Sequence, residues 1–146
     1  ALFDRFSIYA AVFGQYAFND TPSSEETAFG GPVVGRGYDR SEITGDYGVG
    51  TKLELRYALP PPPRLLRGLE VYGFWDFAAT WEDSDGQFLG SAGRRQSLAS
   101  VGAGARFRLP KWMGGYVELA QPLTKGITSE GGDRDLRLNF ALQLDL

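Results

Sequence analysis

The stretch DLRLNFALQLDL, residues 135–146, decides the fold class. Leu136, Leu138, Phe140, Leu142, Leu144 and Leu146 share one parity, while Arg137, Asn139, Gln143 and Asp145, with the small Ala141, share the other. Successive side chains of an extended chain point to opposite faces, so this alternation describes a strand with one apolar and one polar face. Wound at 3.6 residues per turn, the same leucines would be scattered around a helix axis.

The same pattern recurs upstream. In residues 46–59, Tyr47, Val49, Thr51, Leu53, Leu55, Tyr57 and Leu59 oppose Gly48, Gly50, Lys52, Glu54 and Arg56. In residues 69–81, Leu69, Val71, Trp75, Phe77, Ala79 and Trp81 oppose Glu70, Tyr72, Phe74, Asp76 and Thr80. In residues 97–110, Ala99, Val101, Ala103, Ala105, Phe107 and Leu109 oppose Ser100, Gly102, Gly104, Arg106 and Arg108. A shorter strand near 115–123 sets Val117 and Leu119 against Glu118. The opening stretch, about 3–18, carries Phe6, Ile8, Val12, Tyr16 and Phe18 on one parity; the other mixes Arg5, Ser7 and Gln15 with Tyr9 and Phe13. Polar linkers at about 19–45, 82–96 and 124–134 alternate with short breaks at about 60–68 and 110–114. Pro60-Pro61-Pro62-Pro63 lacks the amides a sheet ladder needs. The expectation is an all-β antiparallel meander of about six strands, with every long loop at one end and only tight turns at the other.

Composition narrows the chemistry. The 146 residues include 20 Gly, 10 Phe, 7 Tyr and 3 Trp but no Cys and no His. That excludes an imidazole base, a thiolate nucleophile, a disulfide and an ordinary zinc site. A net charge of -3 with acids and bases interspersed offers no basic patch for nucleic acid. No run reaches the roughly 18–20 apolar residues of a membrane helix, and the opening ALFDRF is not a secretory signal, so the chain is expected to be a mature form or a fragment.

A soluble β-sandwich also alternates. Three features favour an outer-membrane barrel instead. The strands read about 10–14 residues, nearer the 9–11 of a tilted membrane strand than the usual five or six. Aromatic residues (Tyr47, Tyr57, Trp75, Trp81, Phe107) sit toward the ends of the apolar faces, as interfacial girdles do. The opposite face mixes single charges with Gly48, Gly50, Gly102 and Gly104, which suits a crowded lumen. Six strands are fewer than the roughly eight of the smallest single-chain barrels, and open edges in lipid cost several kcal/mol per unpaired amide. Three solutions remain open: the end of a longer barrel, edge pairing between copies, or a missed hairpin near the first strand and its loop.

The stretch FGGPVVGRGYDRSEITGDYGVGTKLELRY, residues 29–57, resembles the C-terminal barrel of two-partner secretion transporters, the ShlB/FhaC/HecB family of the barrel-assembly superfamily. The resemblance continues through VYGFWDFAATW, SLASVGAGARFRLP, a strand ending QPLT and the terminal strand. It implies the last six strands of a 16-stranded barrel, spanning residues 1–146, with a lumen-directed loop at about 19–45. It also implies that Arg36-Gly37-Tyr38 forms the loop tip and that Arg36 meets Asp76, in a wall motif of the F-x-D-x-G type. Here the motif reads Phe74-Trp75-Asp76-Phe77-Ala78, with Ala78 where Gly is usual, and the chain ends in Leu146 where an aromatic is usual. Asp76 lies on the polar parity, as a lumen partner must. A guanidinium with few waters is held by a carboxylate through paired hydrogen bonds, Gly37 is expected to permit a turn, and Gly48 and Gly50 to leave room for the loop. Glu54 and Phe74 are supporting lumen candidates.

The implied function is a bacterial outer-membrane pore for a secreted passenger protein. Its partners would be outer-membrane lipid and the rest of the barrel or further copies, with no enzyme activity, no cofactor and no nucleic acid. Alternatives are a barrel-insertion protein or surface-enzyme anchor of the same superfamily, a self-associating scaffold without specific transport, and, more remotely, a soluble ligand-binding barrel. The glycines at 30, 31, 35 and 37 lack the following Lys-Ser/Thr of a phosphate loop. The glycines at 102 and 104 lie in a strand and do not lead into a helix. Glu82-Asp83-Ser84-Asp85-Gly86 lacks the spacing of a calcium loop and reads as a solvated external loop.

Overall fold

A computed structural model describes residues 5–16, 27–60, 66–82, 95–109, 113–124 and 135–144. Six long strands make one antiparallel sheet: β1 (Phe6–Tyr16), β4 (Tyr47–Leu59), β5 (Gly68–Trp81), β6 (Arg95–Arg108), β7 (Met113–Pro122) and β8 (Arg137–Leu144), in the spatial order β1-β4-β5-β6-β7-β8. The short strands β2 (Thr27–Phe29) and β3 (Ile43–Gly45) pair only with each other. The long linker therefore does contain a hairpin, but it adds nothing to the main sheet, whose strand count stays at six. Phe18, Pro61–Pro63, residues 83–86, Asp145 and Leu146 lie outside the described residues.

The sheet is inverted relative to a water-soluble one. Ile8, Val12, Phe140 and Leu142 are 78, 75, 70 and 66 % exposed, whereas Arg36, Glu54, Asp76 and Glu118 are at most 3 % exposed. The apolar parity read from the sequence is thus the outer face of the long strands, and the polar parity is buried in the middle of β4–β7. Strands β4 and β5 have 13 and 14 residues. At roughly 3.3 Å per residue they extend about 45 Å, and a tilt of about 45° reduces this to the thickness of a hydrocarbon core.

What covers the polar face is the linker itself. The β2–β3 hairpin folds back over β4–β6, and Phe29, Val34, Tyr38 and Ile43 pack on Ala78 of β5 and Leu98 of β6. Phe13 of β1 also packs there, and Tyr9 lies beneath the Arg56 guanidinium, 4.4 Å away. The aromatic residues that blurred the facing of β1 are therefore inward partners of the loop and of an inward cation. Leu98 is a similar exception, an apolar side chain on the polar parity, fully buried because the loop needs a hydrophobic seat.

Candidate functional site

Glycines on the inner face make space for rings. A Cβ on Gly48 or on Gly50 would lie 2.7 Å from the Phe29 ring, so the wall is recessed where the loop lies on it. On β6, a Cβ on Gly104 would lie 2.6 Å from the Tyr72 hydroxyl, and the Phe74 ring covers Gly102 in the same way. Tyr72 and Phe74, on β5 directly opposite these two glycines, lie flat across β6.

Into this recess the loop delivers one guanidinium. Gly30, Gly31 and Gly35 hold φ angles of 123°, 86° and 88°, which L side chains resist. Gly37 lies in the turn expected of it, closed by the Tyr38 amide donating to the Gly35 carbonyl at 2.9 Å, but it does so without a positive φ. It is required instead by close approach, because a Cβ there would lie 2.9 Å from the Pro122 nitrogen and 3.0 Å from Ser100 Cβ. Arg36 thereby reaches the middle of the wall.

Arg36 Nε and Nη2 donate to the two Asp76 oxygens at 2.9 and 2.8 Å, a two-pronged fork. The backbone amides of Gly35 and Arg36 donate to Asp76 Oδ2, each at 3.3 Å. Nη1 donates to Glu54 at 2.8 Å and to Glu118 at 3.3 Å. The guanidinium carbon lies 3.5 Å from the centroid of the Phe74 ring, a cation–π contact of the desolvated kind. Burial alone would lower the Arg36 pKa, but the hydrogen bonds and charge of Asp76, with Glu118 and Glu54, outweigh it and raise it. Tyr38 extends the contact: its hydroxyl lies 3.0 Å from the Ala99 carbonyl and accepts the Thr124 amide at 2.9 Å.

Register explains why three acids meet one base. Glu54 faces Phe74 across β4–β5, Asp76 faces Ser100 across β5–β6, and Glu118 faces Gly104 across β6–β7 and Asn139 across β7–β8. Their excess charge is balanced by further cations. Glu54 also accepts from Arg56 at 2.7 Å and Arg106 at 3.0 Å, with Lys52 at 3.8 Å. Arg106 reaches Glu70 at 2.9 Å, and Glu118 accepts the Tyr72 hydroxyl at 2.8 Å. Asn139 donates to the Arg36 carbonyl at 3.1 Å. The arrangement binds and positions; among the described residues no group of acids, cysteines or histidines is arranged to hold a metal ion.

Every sequence-derived candidate lies in this one assembly: Arg36, Asp76, Glu54 and Phe74 touch directly, Gly37 and Tyr38 flank Arg36, and Gly48 and Gly50 receive Phe29. Glu118, Tyr72, Arg106, Asn139 and Leu98 were not singled out. Their only sequence signal is parity with Asp76 on their strands, and parity does not reveal which residues of one face are neighbours.

A family model described as haemolysin secretion/activation protein ShlB/FhaC/HecB matches residues 2–107, well over half of the 146. The chain belongs to the ShlB/FhaC/HecB family. That family consists of outer-membrane transporters of two-partner secretion. Comparison with curated proteins and with solved structures gives no match. The ShlB/FhaC/HecB match covers Arg36, Glu54, Phe74, Asp76 and Arg106, while Glu118 and Asn139, which complete the guanidinium's surroundings, follow it in the chain.

Proposed function

We propose that this chain forms part of the wall of a bacterial outer-membrane pore through which a partner protein is secreted, with the Arg36-Gly37-Tyr38 loop packed in the lumen as a strut. The observation that carries this reading is the convergence of Asp76, Glu54 and Glu118, from three strands, on one loop guanidinium, on the face opposite the apolar one. A sheet with its large hydrophobic side chains outward suits lipid on that side and an aqueous bore on the other. The remaining wall would come from further strands of a 16-stranded barrel or from other copies pairing with β1 and β8. No cofactor is needed, since folding of the passenger outside the cell can draw it through.

Magnitudes divide the labour within the loop. Burying each large apolar side chain contributes about 1.5–3 kcal/mol, so Phe29, Val34, Ile43 and Leu98 supply most of the docking energy. A buried ion cluster is close to neutral on balance, because desolvation offsets attraction, but removing one partner is costly. The Arg36 cluster therefore selects one seating of the loop and penalises others.

The test is charge reversal in the full-length transporter. Asp76→Arg should reduce secretion and heat-modifiable folding, and adding Arg36→Asp should partly restore both. If Asp76→Arg alone leaves secretion and folding intact, the strut reading is wrong.

A further inference from the structure

At the tight-turn end, the inner face opens into a cavity of about 450 Å³ whose lining includes Arg67, Arg106, Arg108, Tyr116, Ala141 and Gln143. The sheet register builds it. Arg108 stands between Gly68 of β5 and Gly114 of β7, and Gln143 of β8 lies beyond Gly114. Neither glycine has a side chain to cover the guanidinium. One step deeper, Arg106 is flanked by Glu70 and Tyr116, with Ala141 next to Tyr116. The Arg67 amide donates to the Arg108 carbonyl at 2.7 Å, which ties the β4–β5 turn to the same rim.

Among the described residues, the charges here are not balanced as they are around Arg36. Arg106 is committed to Glu54 and Glu70. Among the described residues, no carboxylate pairs with the side chain of Arg67 or Arg108. Two guanidiniums at the rim of a small-floored recess, with a tyrosine and an amide in its wall, suit a group with two coplanar oxygens and negative charge.

We propose that this recess is a carboxylate-binding subsite at the tight-turn mouth of the bore, which takes an acidic segment of polypeptide. The proposal rests on the secretion-pore reading for the source of that polypeptide. A peptide is favoured over a lipid headgroup by position: Arg106 and Arg108 share the inner parity with Asp76 and Glu118 on neighbouring strands, away from the apolar face. Exposure of Arg67 and Arg108 keeps the attraction weak and salt-screened, so a bound segment leaves readily and the chain is not arrested.

The test uses the full-length transporter in detergent at low ionic strength, with fluorescein-labelled octaglutamate and octalysine as probes read by anisotropy. Octaglutamate should bind and octalysine should not. Arg67→Ala with Arg108→Ala should weaken octaglutamate binding about ten-fold, while Arg108→Lys, which keeps the charge but loses the fork, should lose less. Raising the salt should weaken binding to the unaltered protein. Equal binding of both probes, or undiminished octaglutamate binding by the double variant, overturns the subsite. If the double variant loses its heat-modifiable migration, Arg108→Gln decides in its place. Conductance of the same preparations in planar bilayers reads the pore separately. Conduction by the unaltered protein together with undiminished octaglutamate binding by the double variant refutes the subsite alone, and octaglutamate binding as expected by a protein that never conducts refutes the pore reading alone.

Discussion

Lys52 is the cross-strand partner of Asp76, so the wall carries its own cation opposite the carboxylate that Arg36 grips from the loop. Lys52 Nζ lies 3.8 Å from Glu54 Oε1, among the same acids. Directly opposed residues of an antiparallel pair have Cβ atoms about 4.5–5.5 Å apart, within reach of a lysine side chain. Lys52 is thereby placed to serve as a counter-ion for Asp76 when the loop guanidinium is removed.

This makes a double-mutant cycle informative. Arg36→Ala alone should destabilise loop docking by about 3–5 kcal/mol at most, the usual cost of breaking a buried pair. Lys52→Met alone should be mild, and the two together should exceed the sum of the singles by about 1 kcal/mol or more. Unfolding midpoints in urea, followed by heat-modifiable migration, measure this. Additivity within about 0.5 kcal/mol would show that Lys52 does not compensate.

Loop docking should depend more on the apolar seat than on any one ion pair. Leu98→Ala removes a fully buried side chain beneath Gly35, Phe29 and Val34. The expected loss is about 2–5 kcal/mol. Hydrogen exchange at the Gly30 and Tyr38 amides, which bond within the loop to Val34 and Gly35, should accelerate, while amides in the middle of β5 keep their protection.

Two glycines separate close approach from mere composition. Gly37→Ala drives a methyl group into the Pro122 backbone and Ser100, and should cost about 1–3 kcal/mol and unseat the loop. Gly73→Ala, on the outer face of β5, meets nothing nearer than 3.9 Å and should be close to neutral. Equal effects of the two substitutions on stability would contradict this account.

Tyr38→Phe should cost about 1–2 kcal/mol. The change leaves the Thr124 amide without its acceptor and the Ala99 carbonyl without this donor, while the ring stays packed. Thermal unfolding compared with wild type, with near-ultraviolet circular dichroism to verify retained packing, checks it.

Much of this architecture is legible in the chain as written. Strict alternation over residues 136–144 and 47–59 fixes an extended backbone and assigns each side chain to a face, because the pleat makes facing a local, period-two property. Asp76, Glu54, Glu118 and Arg106 are therefore placed on polar parities by order alone, whereas Arg36-Gly37-Tyr38 is singled out in the linker only by the resemblance to a family. The blurred facing of residues 6–16 was a true signal: Phe13 and Tyr9 point inward to meet the loop and Arg56.

Which residues of one face become neighbours was decided only by the tertiary structure. Strand register and the fold-back of residues 27–45 bring Arg36 to carboxylates 18, 40 and 82 positions away, and those contacts are selected by how rings fill the gaps over Gly48, Gly50, Gly102 and Gly104. The period of two repeats identically along a strand and carries no information about sliding by two, so it leaves the register open. Close packing restricts that freedom: the observed alignment seats Phe29, Tyr72 and Phe74 in the glycine recesses and brings Glu54, Asp76 and Glu118 to Arg36.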